Sequence, residues 1–163
     1  DGPLGIMLDI KAAGVNVVRV SAGCVQTYNA KADPDKCLEK FDYIVDINGK
    51  TSCKSMLGEV KKGKGTVTLK VVRPVPWTVK LVKNGRPLGA GLSFEKDSVS
   101  IEVTEIRDGT LKEFNASASP DLQIKPFDSI IKVNGVGDSP NQMIEALKTL
   151  PELELTVIRL PEA

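Results

Sequence analysis

The side chains that do most protein chemistry are scarce in this chain. Histidine is absent from all 163 residues, which removes His-dependent nucleophilic triads and imidazole metal sites together. The three cysteines, Cys24, Cys37 and Cys53, are odd in number and show no C-x-x-C spacing. They read as small buried thiols in a reducing compartment, with no metal site and no cofactor. One charged cluster stands out, the KKGKG stretch of Lys61–Gly65. It reads first as a solvated loop; its sharper reading, through Lys61–Lys64, is a contact with an acidic partner or an anionic membrane surface. Net charge is only +1, with 12 Lys/Arg against 8 Asp/Glu in residues 1–74 and 10 against 13 in residues 75–163. That balance excludes a nucleic-acid footprint.

The length suits one or two domains, and an apolar content of 41% with 26% charge is that of a globular chain. No run approaches the ~18 consecutive apolar residues of a spanning helix, so membrane contact is expected only through a partner complex or the Lys61–Lys64 loop. The opening DGPLGIML has neither the features of a signal peptide nor an initiator Met, and leads to the expectation that residues precede Asp1.

The elements that would position a recognition surface are written twice. FDYIVDINGK at Phe41–Lys50 reappears as FDSIIKVNGV at Phe127–Val136. Extended backwards without a gap, Cys24–Lys50 matches Thr110–Val136 at ten of 27 positions. These are Asn29, Ala30, Ala32, Pro34, Asp35, Phe41, Asp42, Ile44, Asn48 and Gly49 with their partners. The match continues at both ends: PLGIMLDI (Pro3–Ile10) faces PLGAGLSF (Pro87–Phe94), and VTLKVVRP (Val67–Pro74) faces LELTVIRL (Leu153–Leu160). A repeat of this length is a duplicated domain. Pro74-Val75-Pro76 removes two backbone donors within three residues and marks the boundary. Two domains follow, residues 1–74 and 77–163. The second opens with the strand-like WTVKLV from Trp77; the first lacks that strand.

Each copy reads in the same order. An apolar-Gly-apolar loop leads into a strand with Ile6, Leu8 and Ile10, or Ala90, Leu92 and Phe94, on one face. A second strand (Val15–Val20; Val99–Ile106) precedes a short helix around Val25–Asn29 or Leu111–Asn115. A polar Pro-Asp loop, the quoted strand with its Asn-Gly turn, a second helix and a last strand complete the unit. Ser139 is a good N-cap with Pro140 the first helical residue. Phe41, Ile44, Val45, Ile47, Phe127, Ile130, Ile131 and Val133 are expected in the core, and Met7 beside the first loop is expected there too.

Loop, Asn-Gly strand and helix, in register and twice over, resemble the PDZ family along nearly the whole chain. Pro-Leu-Gly-Ile and Pro-Leu-Gly-Ala stand at the family's apolar-Gly-apolar loop, and the two quoted strands at its Gly-Asp…Asn-Gly stretch. Phe replaces the usual Gly before Asp42 and Asp128, and Ala90 is small where a large apolar residue is usual. The resemblance implies a mixed α+β fold of two PDZ-like, partly open barrels or sandwiches, each capped by two helices. It further implies a non-catalytic interaction scaffold whose protein partners add a C-terminal or internal extended segment as a strand. The loops Leu4-Gly5-Ile6 and Leu88-Gly89-Ala90 would receive a carboxylate on their backbone N–H groups. Cys53 and Leu57, and Pro140 and Ile144, would wall the grooves. Arg86 would assist the carboxylate. The family's helix-start His, which selects Ser or Thr in the ligand, is missing, so Cys53 and Pro140 imply apolar ligand residues. On this reading the second groove is the better equipped.

Two further readings stand beside the scaffold. The wording of the repeats is similar to that of PDZ-like repeats in single-celled algae, which implies a peripheral structural subunit of a membrane-associated plastid photosynthetic complex with vestigial grooves. PDZ domains also flank serine proteases, which implies an accessory region needing a catalytic domain outside these residues. The compartment implied is the cytosol or the plastid stroma and membrane periphery.

Overall fold

Runs of β-branched residues bounded by Gly, Asn and Pro become strands, and caps decide where helices begin. The computed structural model describes residues 2–162. Contacts divide the chain into two compact units, Asp1–Pro74 with Leu160–Ala163, and Val75–Arg159. The repeat assigns the last residues to the second domain, yet they group with unit one. Leu160 lies near Gly14 and Tyr43: a Cβ at Gly14 would be in ordinary contact with both, 3.6 Å from Leu160 Cδ2 and 3.8 Å from Tyr43 Cδ1.

Unit one contains β1 (Ile6–Ile10), β2 (Val15–Val20), α1 (Cys24–Asn29), β3 (Tyr43–Ile47), α2 (Cys53–Lys62) and β4 (Leu69–Val72), with a 3-10 turn at Pro34–Lys36. Its sheet is antiparallel in the order β1-β2-β3-β4. Unit two contains β5 (Trp77–Val82), β6 (Ala90–Ser93), β7 (Ile101–Ile106), α3 (Thr110–Ser117), β8 (Ser129–Val133), β9 (Val136–Gly137), α4 (Pro140–Thr149) and β10 (Glu152–Ile158). Its strand order is β5-β10-β8-β7-β6, with β9 hairpinned onto β8. The fold is mixed α+β, and each sheet is open, ending in two edge strands. β5 and β9 have no counterpart strand among the described residues of unit one; β5 pairs along β10 from Glu152↔Val82 to Val157↔Trp77.

Both helices that flank the expected grooves start on a serine. Ser52 accepts a hydrogen bond from the Ser55 N–H, and Ser139 accepts one from the Gln142 N–H, with Pro140 in the first turn. These caps fix the helical phase, so Met56 and Met143 both turn into the core at 2% and 0% exposure. Each unit has its own core, around Val15, Ile44, Ile47 and Met56 in the first and Val103, Ile130, Leu155 and Met143 in the second.

The residues identical between the copies are bracing. Asn29 donates to the Leu38 carbonyl (2.8 Å) and accepts from its N–H (3.0 Å); Asn115 does the same with Ile124. Asp42 is buried, accepts from the Glu39 N–H (2.8 Å), and receives the Arg73 guanidinium at 2.8 and 2.9 Å. Asp128 repeats this with the Lys125 N–H and Arg159 at 2.6 and 2.7 Å. Each arginine also donates to a loop carbonyl, Cys37 or Gln123. The carboxylate therefore ties the central strand to the last one, and hydrogen bonding to Asp42 pushes the Arg73 guanidinium still further into its charged range. Asn48 and Asn134 do more than turn the chain, since their side-chain oxygens accept from the Thr68 and Glu154 N–H groups.

Four core expectations are corrected. Phe41 is half-buried and Phe127 is 54% exposed, because both adopt positive φ (72° and 76°). That backbone turns the side chain away from the interior and is the conformation in which glycine is at ease. Val45 is only half-buried. Met7 is also half-buried and stands apart from the core cluster that Ile6 and Leu8 join, since a β-bulge falls between Met7 and Leu8. Unit two repeats the bulge between Gly91 and Leu92. Of the cysteines, Cys24 is exposed, while Cys37 and Cys53 are half-buried; all three are free thiols.

Candidate functional site: a groove beside an edge strand

The second apolar-Gly-apolar loop is held by its carbonyls. Those of Pro87, Leu88 and Gly89 accept from the N–H groups of Thr110, Leu111 and Arg107 at 3.0, 2.9 and 2.8 Å. In a trans peptide the following N–H points opposite to the carbonyl. The N–H groups of Leu88, Gly89 and Ala90 therefore each face away from the donor that holds the preceding carbonyl. The first loop is built identically: Pro3, Leu4 and Gly5 carbonyls accept from Cys24, Val25 and Ser21 at 3.0, 3.0 and 2.7 Å, turning the N–H groups of Leu4, Gly5 and Ile6 outward. Successive backbone N–H groups free of the sheet are the elements from which a nest for an anionic oxygen is built.

The central glycine is a geometric necessity. Gly89 has φ +77°, and a Cβ on it would meet the Asp108 carbonyl oxygen at 2.7 Å; Gly5 has φ +72° and would meet Ala22 O at 2.6 Å. The facing positions are equally tight. A Cβ on Gly109 would sit 2.7 Å from Pro87 O, and one on Gly23 would sit 2.5 Å from Pro3 O. Gly23 and Gly109 were missed from sequence because they lie one residue outside the gapless repeat, although they occupy equivalent places.

In unit two the nest opens onto a groove of about 780 Å³. Leu88, Gly89 and Ala90 line one end, Leu92 one side, and Ile144 and Leu147 of α4 the other, with Arg86 and Lys148 at the rim. β6 forms the edge of its sheet here, so an extended segment laid between β6 and α4 would find an unpaired strand edge along its length. Lys83, itself buried, closes the far end of α4 by donating to the Leu147 and Lys148 carbonyls at 2.8 and 3.0 Å. Of the expected residues, Arg86, Leu88, Gly89, Ala90 and Ile144 come together. Pro140 is buried at the start of α4 and stands outside this lining. Leu92, Leu147 and Lys83 were missed from sequence; the helical spacing of Ile144 and Leu147 carries the signal for one of them.

Ion pairs ring the nest. Arg86 is paired with Glu113, Arg107 with Glu105, and Lys112 with Asp108 at 2.6 Å. Hydrogen bonding to Glu113 raises the Arg86 guanidinium above its ordinary range, and Lys112 holds the Asp108 carboxyl below its own. Arg86 thus borders the groove as half of an ion pair with Glu113.

Unit one differs. Leu4, Ile6 and Cys53 pack against its core, and Leu57 is half-buried on α2. Its cavity of about 600 Å³ touches Leu4 but not Gly5, Ile6, Cys53 or Leu57. It lies instead along β4 and α1, lined by Val25, Tyr28, Leu38, Val67, Leu69 and Val71 among others.

No protein-family model matches the chain, and no curated protein matches it. Solved structures do. The structure of INAD PDZ45 in complex with NG2 peptide covers 99% of this chain and 86% of its own, at 23% identity and TM-score 0.41. INAD PDZ45 with NORPA CC-PBM covers 99% and 90%, at 22% identity and TM-score 0.40. The PDZ domain of choanoflagellate GIPC bound to B1AR peptide covers 55% of this chain and 95% of its own, at 22% identity and TM-score 0.42.

Proposed function

We propose that the chain is a non-catalytic protein–protein interaction scaffold, and that unit two binds the free C-terminus of a partner by strand addition at β6. The observation that supports this is a loop anchored by its carbonyls, with the Leu88, Gly89 and Ala90 N–H groups turned from those anchors, at the head of an apolar groove beside the edge strand β6. The main chain of the ligand would continue the sheet, its carboxylate would fill the nest, and its terminal side chain would lie among Leu88, Leu92, Ile144 and Leu147. Ala90 keeps the head of the groove open, and no side chain there demands a hydroxyl in the ligand. Apolar C-terminal residues are the ligand class this lining suits.

The test is a titration of the whole chain with labelled peptides ending in apolar residues, beside the same peptides amidated. Binding that disappears on amidation, and disappears in Gly89→Ala, supports the carboxylate nest. Alanine at that position suffers both positive φ and a backbone clash, a destabilisation of about 2 kcal/mol, so its fold is checked by circular dichroism. Equal binding of acid and amide, or of neither, defeats the reading and favours a structural role for outer surfaces.

A further inference from the structure

Asn-Gly occurs three times in the sequence, and the three pairs adopt one backbone geometry. Asn48, Asn84 and Asn134 have φ of 53°, 49° and 48°, and the glycines after them, Gly49, Gly85 and Gly135, have 78°, 75° and 79°. A Cβ on any of these glycines would meet nothing within 4 Å, so crowding at the glycine nitrogen does not separate them. What differs is how each asparagine amide is held. Asn48 Oδ1 accepts from the Thr68 N–H at 2.8 Å and its Nδ2 donates to Glu59 Oε2 at 3.2 Å. The Gly49 N–H is itself bound to Asp46 Oδ1 at 2.7 Å. Asn134 Oδ1 accepts from the Glu154 N–H at 2.6 Å, and its Nδ2 donates to the Glu152 carbonyl at 3.0 Å. Asn84 is exposed, and its side chain makes no hydrogen bond among the described residues. Its turn is tied at the shoulders, where the Lys83 N–H donates to the Pro151 carbonyl at 2.8 Å and the Arg86 N–H to the Lys83 carbonyl at 2.9 Å.

We propose that Asn84-Gly85 is a site of spontaneous deamidation that reacts ahead of the two tethered pairs, and that its product closes the β6 groove to C-terminal carboxylates. In the reaction the Gly85 nitrogen gives its proton to a buffer base and bonds to Asn84 Cγ. The Cγ–Nδ2 bond breaks, and ammonia leaves with a proton drawn from water. Water then opens the cyclic imide at either carbonyl. One opening gives aspartate; the other gives isoaspartate, with the main chain rerouted through Cβ and Cγ. The balance is one water consumed and one ammonia released. A glycine in second place leaves its nitrogen uncrowded, which all three pairs share. Tethering opposes the attack at Asn48 and Asn134, whose amides must break hydrogen bonds before Cγ reaches the glycine nitrogen. The effect on the groove rests on the carboxylate reading of unit two. Gly85 and Arg86 line that groove beside Leu88 and Gly89. A carboxylate at position 84 would repel the ligand's own and offer Arg86 a second partner. The isoaspartate form also inserts a methylene into the main chain of the Lys83–Arg86 turn, from which the Leu88–Ala90 loop leads directly.

The test ages the whole chain in warm buffer made with heavy-oxygen water, then maps the label by mass spectrometry after proteolysis. Position 84 should convert about tenfold faster than positions 48 and 134, the factor that one tethering hydrogen bond commands. The three rates should converge when the chain is aged in concentrated urea, which removes the tethers. Equal rates in the folded chain, a faster position 48 or 134, or a gap that persists in urea overturns the site. For the groove, peptides with apolar C-termini are titrated into fresh chain and into the deamidated fraction, separated by ion exchange. The deamidated fraction should bind about tenfold more weakly. Asn84→Gly keeps the left-handed turn and has no side-chain amide to lose, so after ageing it should bind as fresh chain does. Equal binding by fresh and deamidated chain, or loss of binding on ageing in Asn84→Gly, overturns the effect on the groove. A fresh chain that binds none of these peptides defeats the carboxylate reading, and the groove effect with it, while the peptide map decides the deamidation by itself.

Discussion

The two units are one design at two levels of completion. They share the carbonyl-anchored glycine loop, the paired asparagine bridges, the buried aspartate and its arginine, and the serine-capped second helix. They differ in β5. With that strand present, β10 is covered and Arg159 gains the Trp77 ring, 5.0 Å from its guanidinium, so only 30% of its side chain is exposed; Arg73 has the same hydrogen bonds and is 42% exposed. Among the described residues β4 has no strand on its outer side, and its apolar row is less buried than that of β10.

The sharpest way to break that comparison is to cut equivalent leucines. Leu155 is fully buried and Leu69 half-buried. Leu155→Ala should destabilise unit two by about 3–4 kcal/mol, and Leu69→Ala should destabilise unit one by about 1–2 kcal/mol. Trp77, the only tryptophan, reports the first in a urea titration by fluorescence; amide exchange in β3 reports the second. Equal losses would mean that β5 contributes little to the burial of β10.

Next in size are the two aspartates. Asp128→Asn and Asp42→Asn each leave an arginine without its carboxylate, and each should cost about 1–3 kcal/mol, because the buried carboxylate loses charged hydrogen bonds while the arginine left behind keeps partial access to water. Asp128 should be the costlier, since the abandoned Arg159 is the more enclosed. Differential scanning calorimetry of both variants orders them. The smallest effect concerns the phenylalanines at positive φ. Phe127→Gly should stabilise unit two by about 0.5–1 kcal/mol by relieving the left-handed backbone. Phe41→Gly should gain less, since Phe41 is half-buried and the Lys40 ammonium lies 4.9 Å from its ring. Denaturation midpoints decide between them.

The periodic and duplicated parts were legible in the sequence. The order of elements, the Pro-Val-Pro boundary, the loop glycines and the Ser139-Pro140 helix start all depend on local chemistry that the residues state directly. The misplaced residues share a cause as well. Phe41 and Phe127 look like core by type, but the sign of φ decides where a side chain points, and type alone does not reveal it. Arg86 sits beside the nest in sequence, while its partner Glu113 is 27 residues away. The roles of the identical Asn29, Asn115, Asp42 and Asp128 were not legible because their long-range bonds, 9 to 31 residues apart, exist only once the sheet has closed.

The pairing of β5 with β10 has a topological consequence. The first and last strands of unit two are hydrogen-bonded neighbours, Trp77 opposite Val157, so the beginning and end of this module meet. In unit one the first and last strands, β1 and β4, lie at opposite edges of the sheet. Unit two can therefore be circularly permuted, with a short linker joining Ile158 to Trp77 and new termini in the exposed Ser119–Pro120 turn. It can equally be spliced as a cassette into a surface loop of another protein. Unit one, closed in this way, would need a linker that spans its sheet.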